Sequence, residues 1–332
     1  MTRESLPAAA LAVFPDLSDI SADQASQPKR SGGNEFVVFT KPEISLVQQS
    51  EQEAILGLVR SQFQIYEVEV VQARLISGEE FRDSGAMSQH YGVINRISTD
   101  GRKALTADAD HALREKFGRE LKSGFEVYGG HEFLTVYSDF TPLSLAALFA
   151  NAAVQRLGPG AYASAVSIDA DHAIILNGFH PRQLEWFTRD ETACWFLHCF
   201  SDSRWSDLRQ SMIGSTDPER AEPDSIRGRL LRERERYGLK TVSSNFNGVH
   251  MSAGPLEGLA ELLRFFGGGL ESYGFTAQLT QAGLTPEHIK WVLTNPVLSH
   301  LGKVQTAFDL TEEVDSQAAA DLLERAVPTT LS

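Results

Sequence analysis

Asn245–Leu263 reads NFNGVHMSAGPLEGLAELL. The histidine in it, His250, stands between small residues, with Gly248 and Val249 before it and Ser252, Gly254 and Pro255 after it. A histidine used for packing usually sits inside a periodic apolar segment; this one sits where a strand gives way to a helix. Pro255 suits the first helical turn, where its missing N–H costs nothing. Leu256, Leu259, Leu263 and Phe266 then fall at the spacing of a buried helical face. A helix N-terminus presents backbone donors that stabilise an incoming phosphate. An imidazole nitrogen is a competent nucleophile at phosphorus when an acceptor holds the other ring nitrogen, and Glu261 on the same helix is the candidate acceptor.

Outward from this junction the chain alternates strand and helix signals. EFVVFT (Glu35–Thr40) is a short β-branched and aromatic strand running into Lys41-Pro42. In SEQEAILGLVRSQFQ, Ile55, Leu56, Val59 and Phe63 predict an amphipathic helix. IYEVEVVQARLI (Ile65–Ile76) reads as a strand, and Ser77–Glu80 has the Ser-x-x-Glu form that opens a helix toward His90-Tyr91. Between about Ser98 and Ala173 the pattern changes to charged helix, then FTPLSLAALFANAAVQRLGPG as an apolar helix closed by Gly and Pro, then strand and turn to Gly178. Phe179–Phe200 predicts helix followed by strand, and MIGSTDPERAEPDSIRG (Met212–Gly228) a long loop. Arg227–Gly238 reads as an ion-paired, solvated segment, and Gly267–Gly269 as a C-cap and hinge. The tail is helical in pattern, with TPEHIKWVLTNPVLSHLG and SQAAADLLERAV as its candidates, and no internal repeat is visible.

Composition excludes some classes. In 332 residues, 42% hydrophobic and 22% charged, the pattern is that of a globular chain with room for a substantial core. The formal net charge of -14 argues against a nucleic-acid partner, while leaving anionic small molecules open, because local Lys and Arg decide the potential in a cleft. The two cysteines, Cys194 and Cys199, lie in the apolar run TACWFLHCF and read as a buried strand in a reducing, cytoplasmic compartment, not as metal ligands. Leu6–Phe14 is apolar but lacks the basic flank of a secretory signal, and no run is long enough to span a bilayer, so no membrane partner is expected. The other histidines, His90, His111, His131, His172, His180, His198, His288 and His300, show no ligand spacing and read as structural.

Asn247, His250, Ser252 and Glu261 together resemble the Asn-x-x-His-x-Ser signature, with its following helical Glu, of the nucleoside diphosphate kinases. Four further segments are similar to that family in the same order. FVVFTKPE matches its first strand and Lys-Pro-Asp, with Glu43 for Asp; Gln89–Tyr91 matches the segment carrying the active-site Tyr; FHPRQLEWF matches the Phe-x-Pro helix; Met212–Gly228 matches the Met-Leu-Gly-x-Thr-x-Pro loop through Thr216, Pro218, Pro223, Ile226, Arg227 and Gly228. The resemblance covers residues 35 to 96 and 174 to 267.

The resemblance implies an α/β (α+β sandwich) fold: a ferredoxin-like antiparallel sheet covered by helices, with a large inserted subdomain. On that basis residues 1–33 form a flexible N-terminal arm, 34–98 and 173–267 the catalytic domain, 99–172 the insertion and 268–332 a helical C-terminal extension. It further implies γ-phosphate transfer from ATP or another nucleoside triphosphate through phospho-His250 to a nucleoside diphosphate. Glu261 would orient the ring. Lys41, Thr216 and Arg227 would bind phosphate oxygens, Tyr91 would sit beside the phosphohistidine, Asn247 would hold the ribose or phosphate side and Phe179 would stack on the base. Mg2+ would be held mainly by the phosphates, with no dedicated protein ligands. Nucleotides are the expected partners and a homo-oligomer the expected assembly.

The match also departs. Met251 and Ala253 replace the family's Gly and Asp, Arg229 stands where an acid is usual, and the arginine before Met-Leu-Gly falls on Gln210, with Arg209 adjacent and Arg204 further back. Two alternatives follow: a phosphohistidine enzyme with another acceptor, such as a modified nucleotide or specialised metabolite, or a catalytically silent nucleotide-binding module.

Overall fold

A computed structural model describes residues 32–168 and 171–328. The N-terminal arm expected over 1–33, with its apolar run, lies outside the described residues except for Gly32 and Gly33. The architecture is mixed α/β with sheets antiparallel but for one strand pair, in two compact units: Met1–Ser77 with Glu191–Ser332, and Gly78–Asp190.

In the unit formed by the two ends of the chain, β1 (Asn34–Thr40) leads through α1 (Gln49–Ile65) to β2 (Glu69–Ser77). The chain re-enters at β3 (Ala193–Ser201), passes α2 (Ile226–Arg232) and β4 (Val249–Met251), and continues into α3 (Pro255–Phe266). The sheet order is β2-β3-β1-β4, every neighbouring pair antiparallel. β1 is central and covered on both faces, which is why FVVF is a continuous apolar run instead of an alternating one. Phe36 and Val38 join a core with Ile55, Leu56, Val59 and Phe63 of α1, the helical face read from the sequence, and with Val249 and Met251 of β4. On the opposite face Phe39 stacks on Phe196, which meets Phe265 of α3 at a ring separation of 4.3 Å. TACWFLHCF is β3 in this sheet, buried along most of its length.

Met212–Gly228, read as one loop, is more structured than that. It begins inside a π-type turn, Leu208–Ile213, contains the 3-10 turn Pro218–Arg220, and ends in α2, whose N-cap Ser225 Oγ accepts from Gly228 N at 3.1 Å. Gly228 is required there: a Cβ would stand 2.1 Å from Glu222 O. Beyond it, Glu233 pairs with Arg229 and Arg236 as the charge pattern suggests, but Leu230 is buried, so the segment is half core.

The C-terminal residues belong to the same compact unit. α4 (Gly274–Gln281) packs on α5 (Ser316–Ala326), and Asn34 of β1 bonds to Asp315 and Ser316. TPEHIKWVLTNPVLSHLG is not one helix. It stops at Val292, and Val297–His300 pairs with Lys303–Thr306 as a hairpin. Asn295 turns the chain at φ 56° before Pro296, and Leu301-Gly302, both at positive φ, make the tight turn that suits a hairpin.

The second unit, Gly78–Asp190, has its own sheet, in the order Glu126–Gly129, Asp171–Leu176, Ala161–Ile168, Gln155–Gly158; the first pair is parallel and the others antiparallel. One face carries Leu113, Phe117, Ile174 and Leu176, the other Phe133, Leu145, Phe149 and Ile175. The apolar segment Phe140–Gly160 is helix only over Pro142–Asn151; Gln155–Gly158 is a strand that turns back through Gly160 at φ 65°. The compact units divide at 77/78 and 190/191. Asp171–Leu176 is an inner strand of this sheet, and the helix Gly92–Asp100 packs so tightly on its neighbour Glu126–Gly129 that a Cβ on Gly129 would meet Ser98 O at 2.3 Å. No helix among the described residues is long and apolar enough to cross a membrane.

Candidate functional site

β4 is three residues long and lies at the sheet edge, where the strand period decides what faces what. Val249 and Met251 point into the α1-side core. His250, between them, points to the other face, where its ring stacks on Phe39 at 4.3 Å and 20°. α3 follows at once, with Pro255 opening the helix; Gly254, extended at the N-cap, lets Thr311 O approach to where a Cβ would lie 2.3 Å from it.

That helix brings Glu261 back over the strand. Its carboxylate is fully buried, and Oε1 lies 2.7 Å from Nε2 of His250. Oε2 accepts from Ser252 Oγ at 2.5 Å, and Ser252 Oγ in turn accepts from Val37 N at 2.9 Å. A carboxylate only accepts, so Nε2 carries the ring proton and Nδ1 the lone pair. Burial holds the ring pKa well below its usual 6.5, and the positive charges of Arg209, Arg227 and Lys41 push it the same way. The product is a neutral, oriented imidazole beside three cations.

Each cation has a structural anchor. As an edge strand, β4 turns one row of carbonyls away from the sheet. Arg227 Nη2 takes Val249 O at 2.9 Å while its Nη1 holds Gly214 O at 2.8 Å. Arg209 Nη1 takes Met251 O at 3.0 Å. The carbonyls on either side of His250 are therefore each capped by a guanidinium. Lys41 follows β1, its N–H donating to Gly248 O at 2.8 Å. Burial brings its pKa down to about 8, a shift that Glu43 opposes and Arg227 assists. Glu43 Oε1 accepts from Gly248 N at 2.9 Å, which ties the Lys-Pro-Glu segment to the strand bearing His250.

Asn247 is fully buried and donates from Nδ2 to Thr216 O at 2.9 Å and to Ser244 O at 3.2 Å. It joins the 214–216 loop to β4, as Arg227 does. Thr216 itself is exposed, and the carbonyl, not the hydroxyl, makes that contact. Among Arg204, Arg209 and Gln210, Arg204 is exposed and paired with Asp207, and Gln210 bonds Glu313, so Arg209 is the one beside His250.

Tyr91 and Phe179 belong to the second unit. Tyr91 ends the helix Ala86–His90, its ring 6.0 Å from His180 and 6.1 Å from Phe187. Phe179 precedes the helix His180–Phe187 and packs on Phe149 and Tyr162 at 6.0 and 5.9 Å.

Three groups at the site escaped sequence reading. Glu257 lies one turn before Glu261; burial, reinforced by the Glu261 charge, pushes its pKa up to about 7, and Oε2 accepts from Ala253 N at 2.7 Å. Burial lowers the pKa of Arg264, against the pull of Glu261 and Glu257. Glu313 comes from the C-terminal segment. The i,i+4 spacing of the two glutamates was a usable signal for Glu257; nothing local marks Glu313.

No protein-family model matches this chain, and comparison with curated proteins finds no match.

Proposed function

We propose that this unit is a phosphotransferase centre of the nucleoside diphosphate kinase type, in which His250 carries the phosphate. The observation that bears the reading is the 2.7 Å contact of Nε2 with buried Glu261, because it presents Nδ1 as the basic nitrogen on a ring kept neutral. The Nδ1 lone pair attacks the γ-phosphorus of a nucleoside triphosphate, the P–N bond forms, and the bond to the bridging oxygen breaks to release the diphosphate. An oxygen of a second nucleoside diphosphate then attacks phosphorus, and the P–N electron pair returns to Nδ1. Lys41, Arg209 and Arg227 offset the charge that spreads over the phosphoryl oxygens in both steps.

The order β2-β3-β1-β4, with helices between β1 and β2 and between β3 and β4, supports a ferredoxin-like reading of the sheet. The carboxylates near His250 are already engaged: Glu261 with His250 and Ser252, Glu43 with Gly248 N, Glu257 with Ala253 N. That fits a Mg2+ that arrives on its phosphates and supplies charge neutralisation there, without a protein cage. Two buried, free thiols, Cys194 and Cys199, fit a reducing, cytoplasmic setting.

Incubation with γ-labelled ATP should leave an acid-labile label on the wild type and none on His250→Ala, and nucleoside diphosphates should discharge it. Label retained by the alanine variant would refute the assignment. Label that no nucleoside diphosphate discharges would move the acceptor to another metabolite, and nucleotide binding with no label at all would leave a silent binding module.

A further inference from the structure

The C-terminal segment reaches the His250 site through Glu313. After the short helix Ala307–Thr311 the chain lies against the β4–α3 loop, with Glu313 N donating to Ala253 O at 2.9 Å. Glu313 has φ 55°, a left-handed backbone that residues with a Cβ rarely adopt. Its Oε2 accepts from Gln210 Nε2 at 2.7 Å, and its Oε1 stands 3.9 Å from Arg209 Nε. Arg209 is in turn fixed on Met251 O, one residue from His250. The Arg209 side chain is 14% exposed and that of Glu313 34%, so the cation is mostly enclosed and the carboxylate is the member that water reaches.

We propose that Glu313 is the internal counter-ion of Arg209, which a phosphate arriving at the His250 site must displace. The C-terminal segment then sets the affinity of that site for anions. A 3.9 Å ion pair that water reaches is weak enough to open. The hydrogen bond from Glu313 N to Ala253 O keeps the carboxylate at hand, so it returns when the anion leaves. This rests on the phosphate-binding reading of His250, but not on phosphoryl transfer.

The test measures pyrophosphate binding to the full chain by titration calorimetry at low salt. E313Q keeps the shape and an acceptor for Gln210 while removing the charge, and should bind pyrophosphate roughly two- to fivefold more tightly than wild type. The gain should shrink as ionic strength rises and vanish in an R209Q background, while E313D stays near wild type. Equal affinities for wild type and E313Q, at unchanged melting temperature, would overturn the proposal. So would the same gain without Arg209, or no pyrophosphate binding by either protein. A chain that shows the Glu313 effect yet forms no phosphoenzyme would lose the kinase reading alone.

Discussion

Nε2 of His250 lies 2.7 Å from Oε1 of Glu261, a carboxylate with no solvent exposure, supplied by the helix that begins four residues after the strand carrying His250 ends. A buried carboxylate is costly unless paired. Here the cost is offset by His250 on one oxygen and Ser252 on the other, so the pair acts as one unit in folding and in orienting the ring.

Glu261→Gln tests that unit. The amide retains the volume but no longer enforces a proton on Nε2, so phosphoenzyme formation should fall by about 10²-fold or more. Glu261→Ala also strands His250 and Ser252 polar atoms in the interior and should cost a further ~1–3 kcal/mol of stability per orphaned group. Rapid-quench labelling and urea melts read the two effects separately.

The pH dependence of phosphate binding should report Lys41. Its pKa is depressed to about 8, so the cation is present below that value and is lost as pH rises through it. Affinity for pyrophosphate and the rate of labelling should both decline above about pH 8. Lys41→Arg, which keeps its charge, should move that decline to higher pH.

Stability should depend on Glu257 in the opposite sense from an ion-paired acid. Its folded pKa is raised to about 7 from 4.5, so between those values the native state holds a proton that the unfolded chain has released. Stability therefore falls as pH rises from 4.5 to 7. Glu257→Gln should flatten that slope and melt higher than wild type at pH 8, as calorimetry across the range would show.

Arg227 and Arg204 should separate cleanly. Arg227 is 3% exposed and bridges Gly214 O to Val249 O, so Arg227→Met should cost about 3 kcal/mol by denaturant titration, and labelling should fail with it. Arg204, exposed and paired only at the surface with Asp207, should tolerate alanine within about 0.5 kcal/mol and leave labelling unchanged.

Much of this arrangement is legible in the sequence, because it is local. The apolar run of β1, the helical spacing of Ile55, Val59 and Phe63, the Gly254-Pro255 start of α3 and the eleven-residue offset of Glu261 from His250 are properties of short windows, where period and backbone chemistry decide. Other features depend on which distant segments share a buried surface. Whether Arg209 or Arg204 stands beside His250 depended on which one reached the outer carbonyls of an edge strand. The strand Asp171–Leu176 fell with the second unit because its hydrogen-bond partners lie there, and Glu313 met Gln210 across 103 residues of chain. Periodicity determined β1, α1 and α3; burial and the need to satisfy edge carbonyls, which no local window contains, decided which charges surround the histidine.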